Sequence, residues 1–208
     1  MMTADDVMRL SPVIAVVVIR DPGHAEPLAR ALAEGGVRAV EVTLRTPAAL
    51  EAIRRASAVQ EAVVGVGTVL TQRDLEAAAD AGAQFAVSPG ATPALLEAAR
   101  EAPLPLLPGV ASASEVMAGI ERGYDRFKLF PAEAVGGRAL LKGFAGPFAQ
   151  ARFCPTGGVS LDNAAGYLAL PNVACVGGSW VAPEAMMAAG DWDGVRELAR
   201  AAVERLAA

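Results

Sequence analysis

Eight apolar, β-branched runs recur along the chain at a nearly constant interval, and no other feature of the sequence restricts the fold as strongly. They are Val13–Ile19, Val37–Leu44, Ala62–Val66, Gln84–Val87, Leu104–Leu107, Arg126–Phe130, Arg152–Pro155 and Val173–Val176, with starts 24, 25, 22, 20, 22, 26 and 21 residues apart. The intervals hold Ala-, Leu- and Glu-rich stretches of helical spacing, such as Leu75–Ala81 and Leu95–Arg100. One strand, one loop and one helix fill such an interval, so the chain reads as eight βα units. Short strands that are apolar on both faces belong to parallel sheets. Two further points favour a closed (β/α)8 TIM barrel, with residues 1–208 as one domain, over a doubly wound open sheet. No G-x-G-x-x-G follows the first run, and 208 residues leave no chain for a second domain. Hydroxyl residues at Thr46-Pro47, Thr71, Thr92-Pro93, Ser112 and Ser160 mark helix starts. An extra N-terminal helix over Thr3–Arg9 is expected to cover the barrel's bottom, and Asp193–Leu206 forms the last helix.

Charge and composition remove whole classes of function. The formal charge is −5, and Lys and Arg form no block suited to phosphate backbones or anionic lipids, which speaks against nucleic-acid and membrane-surface binding. The longest apolar stretch, Pro12 to Ile19, is far short of the ~20 residues a bilayer requires. Asp5 and Asp6 precede any apolar run, so no signal peptide is read, and a cytoplasmic location is expected. Cys154 and Cys175 are the only cysteines, each inside an apolar run, and read as small buried hydrophobes rather than a disulfide. The single histidine, His24, lies in a turn opening a helix and reads as a surface residue, which leaves zinc sites and hydrolytic triads without their usual imidazoles.

In a parallel barrel the reactive groups end the strands. Glu41, Arg45, Thr68, Ser88, Lys128, Thr156 and Ser179 are the polar residues that do so. Lys128 is the most telling, because the chain holds 16 Arg and only two Lys, and this one falls inside Phe127-Lys128-Leu129-Phe130. Strand alternation turns Phe127 and Leu129 to the helices and Lys128 inward. There an ammonium is costly and the neutral amine is a nucleophile. The competing reading is a purely structural ion pair with Glu41, or a lysine that snorkels to the rim. Alternation likewise puts Glu41, Thr43 and Arg45 on the inner side of the second strand. A carboxylate there can pass protons, and an arginine can clamp a substrate carboxylate through two hydrogen bonds, although a structural Glu–Arg pair explains the same residues. The other lysine, Lys142, reads as a solvated face.

Two glycine pairs follow the seventh and eighth runs, in Pro155-Thr156-Gly157-Gly158-Val159 and Val176-Gly177-Gly178-Ser179. A lone Gly-Gly is usually a turn. Placed after strands seven and eight, with backbone N–H groups backed by a helix start, the two together read as an anion site for a phosphorylated small molecule.

Six segments in order, Glu41-Val42-Thr43-Leu44-Arg45-Thr46, Gly65-Val66-Gly67-Thr68-Val69-Leu70, Ser88-Pro89-Gly90, Leu107-Pro108-Gly109-Val110, Phe127-Lys128-Leu129-Phe130-Pro131-Ala132-Glu133 and Phe153-Cys154-Pro155-Thr156-Gly157-Gly158-Val159, followed by Gly177-Gly178-Ser179-Trp180, resemble the bacterial 2-keto-3-deoxy-6-phosphogluconate / 4-hydroxy-2-oxoglutarate aldolases. The likeness runs from about Pro12 to the C-terminus. It implies a class I aldolase that needs neither metal nor cofactor. Lys128 would be the Schiff-base lysine and Glu41 the proton-relaying glutamate. Arg45 and Thr68 would hold the pyruvate carboxylate, Phe130 and Pro89 would wall the pyruvyl pocket, and Thr156, Gly157, Gly158, Gly178 and Ser179 would bind the polar and phosphate end. The partners implied are pyruvate and a phosphorylated 2-keto-3-deoxy sugar acid, and the family is commonly homotrimeric. Siblings acting on the galactonate epimer share the same lysine and glutamate, while the Pro-Thr-Gly-Gly and Gly-Gly-Ser forms resemble the gluconate enzyme most. A phosphate-binding isomerase or synthase, and a silent barrel that only binds a phosphosugar, are the competing readings. Neither gives Lys128 a nucleophile's role.

Overall fold

The structure is a computed structural model that describes residues 2–207. Strands and helices alternate along it: α1 (Ala4–Met8), β1 (Val13–Val17), α2 (Ala25–Glu34), β2 (Ala39–Thr43), α3 (Ala49–Ala56), β3 (Val63–Gly67), α4 (Gln72–Asp80), β4 (Ala86–Val87), α5 (Pro93–Glu101), β5 (Leu106–Leu107), β6 (Gly109–Val110), α6 (Ala113–Ile120), β7 (Arg126–Leu129), α7 (Gly137–Ala145), β8 (Arg152–Pro155), α8 (Leu161–Leu168), β9 (Val176–Gly178), α9 (Glu184–Ala189) and α10 (Trp192–Ala207). Among the described residues, no helix is long and apolar enough to cross a membrane.

Every strand pair is parallel. Where the repeat leads one to expect a single closed sheet, the strands form two, a six-stranded sheet in the order β5-β4-β3-β2-β1-β9 and a three-stranded sheet β6-β7-β8. Both breaks have local causes. Pro108 has no N–H and separates β5, which ends the fifth run and pairs with β4, from β6, which lies beyond that run and pairs with β7. Its carbonyl still accepts from the Lys128 N–H at 2.9 Å. At the other break only the bridges Phe153↔Val173 and Thr156↔Gly177 link β8 to the chain entering β9, three residue steps on one side facing four on the other. That extra residue disrupts the ladder as a bulge does, and it moves the eighth strand from the expected Val173–Val176 to Val176–Gly178.

Alternation along the strands sorts the core into two layers. Val13, Ala15, Val17, Val40, Val42, Val64, Val66, Phe127, Leu129 and Phe153 pack outward against the helices. Ile14, Ala39, Val63, Phe85, Val87, Leu107, Cys154 and Cys175 form a separate inner cluster, closed at one end by Val7 and Met8 of α1. Burying two such side chains contributes on the order of 1.5–3 kcal/mol each, enough to hold a five-residue helix that would not persist alone. Thr3 caps α1 through a reciprocal box with Asp6, and Asp5 bonds Arg9 at 2.6 Å and Arg126 of β7 at 2.5 Å. The expected N-terminal cover is therefore present.

Thr71, Thr92 and Ser112 cap their helices as read from the sequence. Ser160 caps α8 through a reciprocal box in which its N–H donates to Asn163 Oδ1 at 2.8 Å. Thr46 does not cap. Helix α3 starts later, after Ala48, and the Thr46 hydroxyl donates to the Ile19 carbonyl, tying the loop after β2 to the loop after β1. Cys154 and Cys175 are both free and buried.

Candidate active site

Lys128 and Glu41 face one another inside the strand layer. Lys128 lies in β7 between two residues of the outer cluster, and Glu41 lies in β2 between Val40 and Val42, so both point inward as alternation dictates. Lys128 Nζ donates to Glu41 Oε1 at 2.9 Å and to Oε2 at 3.2 Å, with both side chains almost fully buried. A pair so enclosed is costly to desolvate and is held only by close geometry and further packing. Nζ also lies 5.3 Å from the Phe130 ring centroid, within range of a cation–π attraction. Gly67 of β3 supplies the space for the carboxylate, because a methyl there would overlap Glu41 Oε1.

Arg45 and Thr68 meet at the ends of β2 and β3. Arg45 Nε donates to Thr68 Oγ1 at 3.3 Å. Thr68 has φ +62°, a left-handed backbone that a β-branched residue adopts only when its surroundings enforce it. Strain concentrated on a hydroxyl at the C-terminal edge of a strand is characteristic of a binding position.

A cavity of about 370 Å³ opens beside these groups, lined by Arg45, Phe130, Thr156, Gly157, Gly158, Gly178 and Ser179 among others. Seven of the eleven residues to which the family resemblance gives a role therefore share one cavity. Glu41, Lys128 and Thr68 do not line it directly; Thr68 joins it through Arg45, and Lys128 lies against Phe130. Pro89 lies apart from this cavity. It lines a separate exposed depression with Leu70, Gly90 and Thr92, and its backbone packs against Gly109, the register partner of Lys128.

The glycine pairs have a packing reason beyond ligand approach. Gly157 and Gly158 have φ +97° and +77°, and a methyl at 158 would lie 2.6 Å from Glu133 Cγ. Gly178 lies under the Trp180 ring, which leaves no room for a Cβ. Thr43 and Ser88, which alternation and position also brought forward, use their polar atoms on the backbone: Thr43 Oγ1 donates to the Val17 carbonyl at 3.0 Å, and Ser88 Oγ accepts from the Gly109 N–H at 3.2 Å.

Sequence reasoning missed Glu184. It lines the cavity near Ser179 and pairs with Arg20 at 2.8 Å. No strand pattern marks a residue that starts a surface helix, so the sequence held no signal for it. Among the described residues, no three His, Cys, Asp or Glu side chains are grouped as a metal site.

A buried lysine bonded to one carboxylate, on parallel strands of an α/β fold and beside a glycine-lined cavity, fits a carbon–carbon lyase of the Schiff-base type. The family model described as KDPG and KHG aldolase matches residues 4–198. The KHG/KDPG aldolase of Escherichia coli (strain K12) is 52% identical over 203 residues, covering 97% of this chain and 95% of that protein. The solved structure of the Zymomonas mobilis ZM4 2-keto-3-deoxy-6-phosphogluconate aldolase with 3-phosphoglycerate is 50% identical, covers 96% and 94% of the two chains, and superposes with a TM-score of 0.90. The Legionella pneumophila KDPG aldolase, solved with pyruvate captured as a covalent carbinolamine, is 46% identical with a TM-score of 0.94 over 97% and 98% of the chains. The chain belongs to the KDPG and KHG aldolase family.

Proposed function

We propose that this protein reversibly cleaves 2-keto-3-deoxy-6-phosphogluconate (KDPG) to pyruvate and D-glyceraldehyde 3-phosphate through an imine on Lys128. The observation that carries the reading is the 2.9 Å bond between Lys128 Nζ and Glu41 Oε1. A proton passed along it leaves a neutral amine, which attacks the C2 ketone; loss of water from the carbinolamine gives an iminium. Glu41, having given that proton to the hydroxyl that departs as water, removes the one on the C4 hydroxyl. The C3–C4 electron pair moves into the iminium, the aldehyde leaves, and an enamine of pyruvate stays on Lys128. Protonation at C3 and attack by water on the iminium release pyruvate and regenerate the lysine.

In this reading Arg45 and Thr68 hold the pyruvate carboxylate, an assignment supported by their mutual hydrogen bond and by the strain at Thr68. Phe130 walls the pyruvyl group, and Thr156, Gly157, Gly158, Gly178 and Ser179 take the polar and phosphate end, supported by their common cavity. Pro89 is assigned to the wall of the pyruvyl pocket, supported by its backbone packing against Gly109, the register partner of Lys128. The same lysine chemistry serves 4-hydroxy-2-oxoglutarate, which lacks the phosphate, giving pyruvate and glyoxylate.

Residues 1–208 are read as one domain whose two parallel sheets form a single eight-stranded ring. The bridges between β8 and β9, and the Pro108 carbonyl that continues β5 into the β6–β7 ladder, support closure. A homotrimer is the assembly that the sequence resemblance implies, and light scattering is the measurement that tests it. Cytoplasmic placement is supported by two free, buried thiols.

The deciding experiment incubates the protein with pyruvate and borohydride and maps the product by peptide mass spectrometry. A reduced pyruvyl adduct on Lys128 is expected. A folded protein that gives no adduct overturns the imine reading.

A further inference from the structure

Glu133 and Tyr167 take no part in the chemistry above, yet their pairing grips the loop that carries Gly157 and Gly158. Tyr167, on α8, is fully buried, and its hydroxyl donates to Glu133 Oε1. Burial, and after it the Glu133 carboxylate, push the phenol well above its ordinary range, so it remains a donor across neutral pH. Glu133 opens the 3-10 turn Glu133–Val135 that follows Phe130 and Pro131. Its Cβ and Cγ stand against Gly158, where a methyl would approach to 2.7 and 2.6 Å.

The backbone ties the same two loops together. The Ala132 N–H donates to the Thr156 carbonyl at 2.8 Å, and the Glu133 N–H donates to the Gly157 carbonyl at 3.1 Å. Asn163 Nδ2 of α8 also donates to the Gly158 carbonyl at 3.0 Å. Gly158 is thus held by Glu133 and by Asn163, and both are anchored to one helix. Glycine is the residue with the most backbone freedom to lose, so a glycine pair in a binding loop binds tightly only if something else has already ordered it.

We propose that Glu133 and Tyr167 are positioning residues for the phosphate end of the substrate: their hydrogen bond pre-orders Gly157–Gly158 and so sets the affinity for phosphorylated ligands without acting on Lys128. The proposal rests on the assignment of these glycines to the phosphate end. Pre-ordering of this kind is worth roughly five- to tenfold in affinity.

The test compares wild type, Tyr167→Phe, Glu133→Ala and Glu133→Gln. Steady-state kinetics are measured with KDPG and with 4-hydroxy-2-oxoglutarate, inorganic phosphate affinity by calorimetry, and pyruvate capture by borohydride. Tyr167→Phe and Glu133→Ala are expected to raise KM for KDPG and weaken inorganic phosphate binding by roughly five- to tenfold. The kcat, the unphosphorylated substrate and pyruvate capture remain as in wild type. Glu133→Gln, whose amide oxygen still accepts from Tyr167, restores near-normal values. Unchanged phosphate affinity in Tyr167→Phe and Glu133→Ala, or equal losses on both substrates, overturns the proposal. Glu133 is exposed, so Glu133→Ala keeps the test decisive should Tyr167→Phe fail to fold. If wild type captures no pyruvate, the aldolase reading fails separately, and phosphate affinity still reports on the clamp.

Discussion

Lys128 Nζ lies 2.9 Å from Glu41 Oε1 across the interior between β7 and β2, with neither side chain more than 6% exposed. Since the two residues are 87 positions apart in sequence, only the curvature of the strand layer brings them together, and the pair bears on both turnover and stability.

Replacing Lys128 by Ala removes the nucleophile and abolishes turnover, and it also leaves Glu41 buried without its partner, a change of the kind that costs about 3–5 kcal/mol. Glu41→Gln slows cleavage by roughly 10²–10⁴ while still permitting pyruvate capture. The double variant Lys128→Met/Glu41→Gln removes both charges. It should be inactive yet at least as stable as Lys128→Ala, as read from denaturant midpoints. A double variant less stable than Lys128→Ala would show that the charges support the fold.

At Thr68, backbone strain and ligand affinity should separate. Thr68→Gly relieves a left-handed conformation, gaining on the order of 1 kcal/mol of stability after the entropy cost of glycine. The same change removes the Arg45 contact and is expected to raise the pyruvate concentration needed for half-maximal capture by roughly tenfold, the effect of losing one hydrogen bond to a charged group. Thermal unfolding and a capture titration measure the two effects, and tighter pyruvate binding would contradict the assigned role.

Gly67→Ala places a methyl where Glu41 Oε1 now lies. The carboxylate must rotate away from Lys128. Turnover should fall by about 10² or more, with destabilisation of roughly 1–3 kcal/mol from overpacking. A Gly67→Ala enzyme with normal kcat would mean that the position of Glu41 is not critical.

Acid should loosen the seal at the N-terminal end. Asp5 is held below the usual carboxylate range, first by its hydrogen bond to Arg9 and then by that to Arg126. A depressed folded-state value gives stability that is present above the unfolded value of about 3.9 and lost as pH falls through the folded value. Asp5→Asn should therefore lower the unfolding midpoint near neutrality, with the gap to wild type closing below about pH 4. A gap that widens on acidification would reverse the sign and refute the linkage.

Much of this protein is legible in one dimension. The interval between apolar runs determines alternating parallel strands and helices, because a parallel strand cannot return to its neighbour without a crossover of about a helix's length. Alternation within Phe127-Lys128-Leu129 and Val40-Glu41-Val42 determines that both charged groups face inward, since their neighbours must cover the helices. Other features depend on contacts between distant segments. Whether Glu41 meets Lys128 or Arg45 follows from strand curvature and from the missing Cβ at Gly67, and the outcome is Lys128. Pro108 and the extra residue before β9 interrupt the ladder for reasons of hydrogen-bond pairing that periodicity does not register. Glu184 at the cavity and Glu133 under Gly158 are polar residues on surface elements, where hydrophobic spacing carries no information. The sequence thus determined the elements and the inward-facing chemistry, through burial and period. Tertiary packing alone decided which inward groups touch, because that depends on distances between strands rather than on positions along them.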